Sequence, residues 1–282
     1  MKIRFTADST CDMPLPLREQ YGVELAPLTV VVGDEMHYDG VDITQQEIFD
    51  AVEAGKVVKT AARNAYEYGK LFRRALEDSD AVIHFSLSKS LSASYSSACM
   101  AAQEMENVYV IDSANLSVGT SLLMLEAIDM AQRGWEPSLI AAKVNNLARR
   151  VDTSFILEQV DYLFRGGRCS GVEAVGAKVL HIRPSIEVTR GEMGVGRKYR
   201  GRFERCLVKY VADKLEDRDS IDFARAFVVQ AGCPDEWTQQ VHRQLLDAGF
   251  AEVIDATAGC TISTHCGPHT LGIVFKRKGD KV

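Results

Sequence analysis

Residues 86–97 read Ser-Leu-Ser-Lys-Ser-Leu-Ser-Ala-Ser-Tyr-Ser-Ser, and seven of these twelve positions are serine. One helix cap needs a single hydroxyl. A run this dense, where a strand hands over to a helix, adds side-chain donors to the unpaired N–H groups of a helix start. That combination suits a carboxylate or a phosphate. A second cluster lies near the end of the chain: Cys260-Thr-Ile-Ser-Thr264-His265-Cys266-Gly267-Pro268-His269. Cys260, His265, Cys266 and His269 are zinc ligands by type, but their crowding fits no paired-ligand spacing. Ser92, His265 and Asp8 have the composition of a hydrolase triad, yet no Gly-x-Ser-x-Gly elbow presents the serine. What remains is an imidazole between Thr264 and a Gly267-Pro268 turn, able to donate to a carboxylate.

Three further segments carry polar chemistry. Asp8-Ser9-Thr10-Cys11-Asp12 reads as turn chemistry, with Asp12 capping a short helix from Pro14, or as hydroxyls at a ligand mouth. Phe164-Arg165-Gly166-Gly167-Arg168 opens a glycine-rich loop with two arginines. The adjoining residues 171–178 approach a P-loop but sit one residue out of register. They also have Val179 where a magnesium-binding hydroxyl belongs, which excludes that motif. Arg197-Lys198-Tyr199-Arg200-Gly201-Arg202 reads as a solvated loop or as a docking patch for an acidic protein.

These groups need elements to position them. The first half alternates predicted strands (2–7, 24–32, 81–86, 108–111) with predicted helices (44–55, 64–76, 91–103, 117–133, 138–149). Thr44-Gln-Gln-Glu47 has the form of a capping box. Such alternation predicts a parallel sheet covered by helices. Its ligand groups belong on the loops beyond the strand ends, here 8–10, 86–92 and 112–117. The second half predicts strands at 155–160, 182–188, 227–230, 252–256 and 271–276, with only two helices, 204–215 and 235–248. The expected fold is therefore α/β in two domains. Residues 1–152 form a parallel-sheet, three-layer α/β/α domain and residues 153–282 a mixed-sheet α/β domain.

Composition narrows the function. Lys and Arg number 33 against 39 Asp and Glu, a net charge of −6, which argues against a nucleic-acid partner. The longest apolar stretch, 122–130, is interrupted by Glu126 and Asp129, so no integral membrane segment is expected. The opening residues lack the apolar core of a signal peptide. The seven cysteines are odd in number and scattered. Both features predict free thiols in a cytoplasmic protein.

Taken in order, the segments resemble the DegV family, fatty-acid-binding proteins that serve as acyl-carrying subunits of bacterial fatty acid kinase. Asp8-Ser-Thr-Cys-Asp-Met-Pro14 is similar to the family's Asp-Ser-Thr-x-Asp-Leu-Pro, and Lys59-Thr60 to the start of its Lys-Thr-Ser-Gln-Pro. Leu91-Ser92-Ala93-Ser94-Tyr95 is similar to Leu-Ser-Gly-Thr-Tyr. Asp112-Ser113 follows a predicted strand, Gly166-Gly167-Arg168 matches Gly-Gly-Arg, and residues 265–272 are similar to His-x-Gly-Pro-Gly-Thr-x-Gly. The resemblance implies a non-catalytic subunit with no metal or cofactor. Its ligand would be a long-chain fatty acid such as palmitate, in a buried tunnel. The carboxylate would be held by Thr60 and Ser92 near His265, with Thr264 and Gly267 beside it and Ser9 and Ser113 toward the mouth. Arg168 and Arg200 would face the fatty acid kinase catalytic subunit, which phosphorylates the carried acid.

The chain also departs from the family pattern. Ala61-Ala62-Arg63 replaces Ser-Gln-Pro, Ser90 and Ala93 replace glycines of the serine loop, and His269 replaces the second glycine of Gly-Pro-Gly. Met100, Leu122, Leu123 and Met124 read either as tunnel wall or as ordinary core. Two rival readings stand beside the carrier. One is a small hydrolase or phosphotransferase using His265 and Asp8. The other is a binder of a different anionic metabolite at the serine loop.

Overall fold

The structure is a computed structural model that describes residues 1–170 and 182–279, so the P-loop-like stretch 171–178 lies outside the described residues. In the first half, β1 (Ile3–Asp8), α1 (Leu15–Tyr21), β2 (Glu24–Ala26), β3 (Thr29–Val32) and β4 (Glu35–Tyr38) follow one another. The single strand expected over 24–32 is two strands in different sheets. Pro27, which has no N–H for a ladder, lies at the break. Next come α2 (Gln45–Glu53), β5 (Val58–Ala61), α3 (Ala65–Leu76), β6 (Ala81–Ser86), α4 (Ser94–Ala102), β7 (Val108–Asp112), α5 (Val118–Gln132) and α6 (Pro137–Leu147). Both α2 and α3 start with a full capping box, Thr44 with Glu47 and Asn64 with Glu67.

The parallel sheet has the order β2-β1-β6-β7. Alternation along β6 explains its two covering layers. Val82 and His84 point to Tyr68 and Phe72 of α3, whereas Ile83 and Phe85 join the core built with α5 and α6. A separate antiparallel sheet has the order β4-β3-β5 and packs against α2 and the later helix Cys260–Cys266.

The second half contributes β8 (Val151–Leu157), α7 (Asp161–Gly166), β9 (Cys169–Ser170), β10 (Ile182–Thr189), β11 (Glu192–Arg200), α8 (Phe203–Lys214), β12 (Ile221–Ala231), α9 (Asp235–Asp247), β13 (Val253–Thr257), α10 (Cys260–Cys266) and β14 (Thr270–Arg277). The mixed sheet runs β13-β12-β14-β8-β10-β11-β9. Two helices were expected in this half. The short α7 and α10 are additional. The basic cluster read as a solvated loop is mostly strand, since β11 continues through Arg200 with Tyr199 buried between exposed Lys198 and Arg200.

Helix α5 lies between the two sheets. Its residues are apolar on nearly every side, which suits a helix with no solvent face. It shares one core with Phe5 and Phe85 of the parallel sheet and with Phe227 and Val274 of the mixed sheet. The two charges that interrupt it bind the mixed sheet, Glu126 through Lys276 (2.7 Å) and Asp129 through Arg225 (3.4 Å). Leu122, Leu123 and Met124 are therefore core rather than tunnel wall, and Met100 is on the surface. Helices α8 and α9 cover the far face of the mixed sheet.

Candidate functional site

A cavity of about 220 Å³ lies where β5, the serine loop and the start of α5 meet β8, β12, β14, α7 and α10. Its walls are mainly apolar, with Leu87 and Leu116 from one half and Phe155, Leu163 and Val229 from the other. The loops after β6 and β7 reach it, as the parallel-sheet rule predicts, but the loop after β1 does not.

The key side chain sits on α10. Its sequence, Cys-Thr-Ile-Ser-Thr-His-Cys, has weak helix preference, so the helix depends on outside partners. The Gly259 N–H donates to Asp12 (2.8 Å) and the Cys260 N–H to Asp39 (2.7 Å). Gln45 donates to the Ala258 carbonyl (2.9 Å) and to the Ser263 hydroxyl (2.8 Å). Asp12, expected to cap the helix beginning at Pro14, instead helps hold α10 and accepts from Ser117 (2.5 Å). Burial pushes the Asp12 carboxyl well above its usual range.

At the other end of α10, His265 Nε2 lies 2.8 Å from the Thr60 hydroxyl on β5. Burial, with a smaller effect from the Arg168 charge, lowers the His265 pKa to about 4. The ring is therefore neutral near pH 7. Its Nδ1 is buried without a hydrogen-bond partner among the described residues and lies against Gly166, where any side chain would collide with it. An unpaired N–H costs more than an unpaired lone pair, so the proton belongs on Nε2. His265 then donates to Thr60, and the Thr60 proton is free to point at a ligand.

Ser92 lines the same cavity. It accepts from the Ser94 N–H (3.1 Å) and lies 3.0 Å from the Ser94 hydroxyl. Other hydroxyls of the run bond within the protein: Ser86 donates to Asp8, Ser88 to the Gly191 carbonyl and Ser96 to the Ala93 carbonyl. Arg168 also lines the cavity, is exposed, and donates to the Gly166 carbonyl (2.8 Å). Thr60, Ser92, Arg168 and His265 thus line one cavity.

Other expected residues do not line the cavity. Thr264 donates to the Cys260 carbonyl of its own helix (2.8 Å). Ser9 donates to Asp39 (2.8 Å), and Ser113 donates to the Asn115 carbonyl (3.1 Å). Arg200 is exposed on β11. Gly267 ends α10 at φ +74°, and an added Cβ would lie 2.5 Å from the Tyr162 ring. Gly267→Ala is expected to cost about 2–3 kcal/mol from backbone strain and overpacking, read as a lowered urea midpoint. A midpoint equal to that of the parent would contradict this close packing.

His269 also adopts a positive φ (+54°), but it turns toward Trp237 and pairs with Glu158 (2.5 Å) rather than reshaping the cavity. Asp8 and His265 share no contact: Asp8 is bound by Tyr68, Ser86 and the Leu87 N–H, and His265 by Thr60. Sequence reasoning did not single out the cavity-lining Thr153, Ser154 and Thr261. Ala61 and Ala62, noted as departures, do line it.

The fold and cavity together define a class: α/β proteins that enclose an apolar cavity between a parallel-sheet half and a mixed-sheet half. The chain belongs to the DegV family, whose profile matches residues 2–278. It is 30% identical over 281 residues to a DegV domain-containing protein of Caldanaerobacter subterraneus, covering 98% of this chain and 99% of that one. It is similar to a fatty-acid-binding DegV family protein from Thermus thermophilus, with TM-score 0.88, 28% identity, and coverage of 98% and 100%. It is also similar to a DegV lipid-binding protein from Thermotoga maritima, with TM-score 0.87, 27% identity, and full coverage of both chains. No helix among the described residues is long and apolar enough to cross a membrane.

Proposed function

We propose that the chain binds a long-chain fatty acid between a unit of residues 1–152 and a unit of residues 153–282. It would present the acid, in the cytoplasm, to a fatty acid kinase that forms the acyl phosphate. The observation that carries this reading is the Thr60–His265 pair on the wall of a mainly apolar cavity. Each buried methylene contributes about 0.8 kcal/mol, so a chain of roughly fifteen supplies on the order of 12 kcal/mol before ordering and association costs. The carboxylate must still be hydrogen-bonded, because an unpaired buried charge is very costly. Thr60 and Ser92 supply hydroxyls, and Arg168 brings a positive charge to the same cavity. Thr264 and Gly267 shape the helix end that carries His265. Ser9 and Ser113 support the surrounding frame.

The reading is tested by mass spectrometry of an organic extract from protein purified without added lipid. A near-stoichiometric fatty acid of about sixteen to eighteen carbons is expected, a chain able to supply the burial energy above. An empty extract from folded protein that also takes up no added palmitate would overturn it.

Arg168 and Arg200 are the docking residues of this proposal, and Arg200 gives the cleaner test because it stands away from the cavity. Arg200→Ala is expected to leave palmitate affinity unchanged and to lower kinase-dependent acyl-phosphate formation about tenfold, the scale of one lost charged contact. Unchanged turnover across a titration of kinase would remove Arg200 from the interface.

A further inference from the structure

Seven residues lining the cavity carry hydroxyls, and six of them have protein partners. Thr60 meets His265, Ser92 meets Ser94, Ser117 meets Asp12, Thr153 meets Asn115, Ser154 meets Tyr210, and Thr270 meets the Cys266 carbonyl. The seventh, Thr261, does not. It is only 4% exposed, and its Oγ1 is buried without a hydrogen-bond partner among the described residues. The reason is local. A helical threonine commonly donates to the carbonyl four residues back, as Thr264 does to Cys260. Thr261 lies in the first turn of α10, so the residue four back, Thr257, belongs to β13 instead. An unpaired buried hydroxyl costs about 1–3 kcal/mol, and a valine would fill the same space without that penalty.

Thr261 and His265 are four residues apart, share one face of α10, and both line the cavity. They are separated by about 6 Å along the helix axis. An acyl chain anchored at Thr60 and His265 and running toward the start of α10 would pass Thr261 within its first few carbons. We propose that Thr261 is a second polar subsite, and that the preferred ligand is an oxygenated fatty acid with a hydroxyl or oxo group near its carboxyl end. This inference rests on the fatty-acid reading above. The threonine hydroxyl both donates and accepts, so it matches either a chain hydroxyl or a chain ketone.

The test compares hexadecanoic acid with hexadecanoic acids hydroxylated, or carrying an oxo group, at each of the first few chain carbons. Binding to delipidated protein is measured for the parent, Thr261→Val and Thr261→Ser. At least one oxygenated acid is expected to bind the parent about tenfold more tightly than hexadecanoic acid, the effect of one recovered hydrogen bond. Thr261→Ser should keep that preference. Thr261→Val should lose it while binding hexadecanoic acid at least as well as the parent. No preference in the parent, or the same preference in Thr261→Val, would overturn the subsite while leaving fatty-acid binding intact. If Thr261→Val does not fold, absence of the preference in Thr261→Ser overturns the subsite equally. If the parent binds neither plain nor oxygenated acids, the fatty-acid reading itself fails and the subsite falls with it.

Discussion

Asp8→Ala is expected to destabilise the protein by about 3–5 kcal/mol, the scale of breaking a buried charged network by removing one partner. Asp8 is fully buried at the end of β1. It accepts from the Tyr68 hydroxyl (2.5 Å), the Ser86 hydroxyl (2.7 Å) and the Leu87 N–H (2.9 Å), and His84 Nε2 lies 3.4 Å away. Alanine would strand three donors where water does not reach, each costing about 1–3 kcal/mol before relaxation. Tyr68→Phe removes one donor only and should cost about 1 kcal/mol. Urea unfolding at neutral pH checks both.

The network also fixes a pH signature. Burial pushes the Asp8 carboxyl up, but the neighbouring His84 ring and the hydroxyls of Tyr68 and Ser86 outweigh it and hold its pKa below the usual carboxylate value. A carboxylate with a depressed folded pKa stabilises the fold above its unfolded value, and that stability is lost as pH falls through the folded value. The gap between the parent and Asp8→Asn should therefore be full near neutrality and shrink below about pH 4. Asp12, which burial shifts the opposite way, is present in both proteins and does not enter the comparison. A gap that stays constant into acid would mean that the ionised carboxylate is not its source. Because Leu87 lines the cavity and its N–H is bound to Asp8, the network also links stability of the parallel sheet to the shape of the site.

The parts of this architecture that were legible in the sequence are those that local chemistry determines. The Thr44 capping box, the strand β6 and the apolar α5 announce themselves through spacing and composition. The elements that complete the site do not. Strand β5 is four residues long, and Thr60 gains its place only by pairing opposite Val30. Helix α10 has a sequence better suited to a turn or strand, and it is helical because Asp12, Asp39 and Gln45 bind its first turn and middle across more than two hundred residues of chain. Such long-range satisfaction leaves no periodic signal. The density of the serine run pointed to an anion site; of its hydroxyls, Ser92 lines the cavity, while those of Ser86, Ser88 and Ser96 bond within the protein. Resemblance to a family found Thr60 and His265 by motif, but only the geometry makes them partners.

Thr60→Val should weaken palmitate binding about 10–100-fold, because a hydrogen bond to a charged group is worth roughly 1.5–3 kcal/mol. Valine keeps the β-branched shape that β5 needs but strands the buried His265 N–H, so the protein should still fold with a stability lowered by about 1–3 kcal/mol. Loss of folding together with loss of binding would make Thr60 structural; unchanged affinity would remove it from the carboxylate site. The pH dependence of the same pair gives an independent reading. Burial and Arg168 keep the His265 pKa near 4, below the ordinary 6.5. The unfolded chain therefore binds more protons between these values, and stability falls as pH drops from about 6.5 toward 4, by about 3 kcal/mol in total. His265→Gln should flatten that slope. A bound carboxylate reverses part of the shift, since a nearby anion favours the imidazolium. NMR titration of His265 should show a higher pKa with palmitate than without it, and palmitate affinity should rise as pH is lowered through that interval. An unshifted ring in a saturated complex would place the carboxylate elsewhere, even if the fatty acid itself is bound.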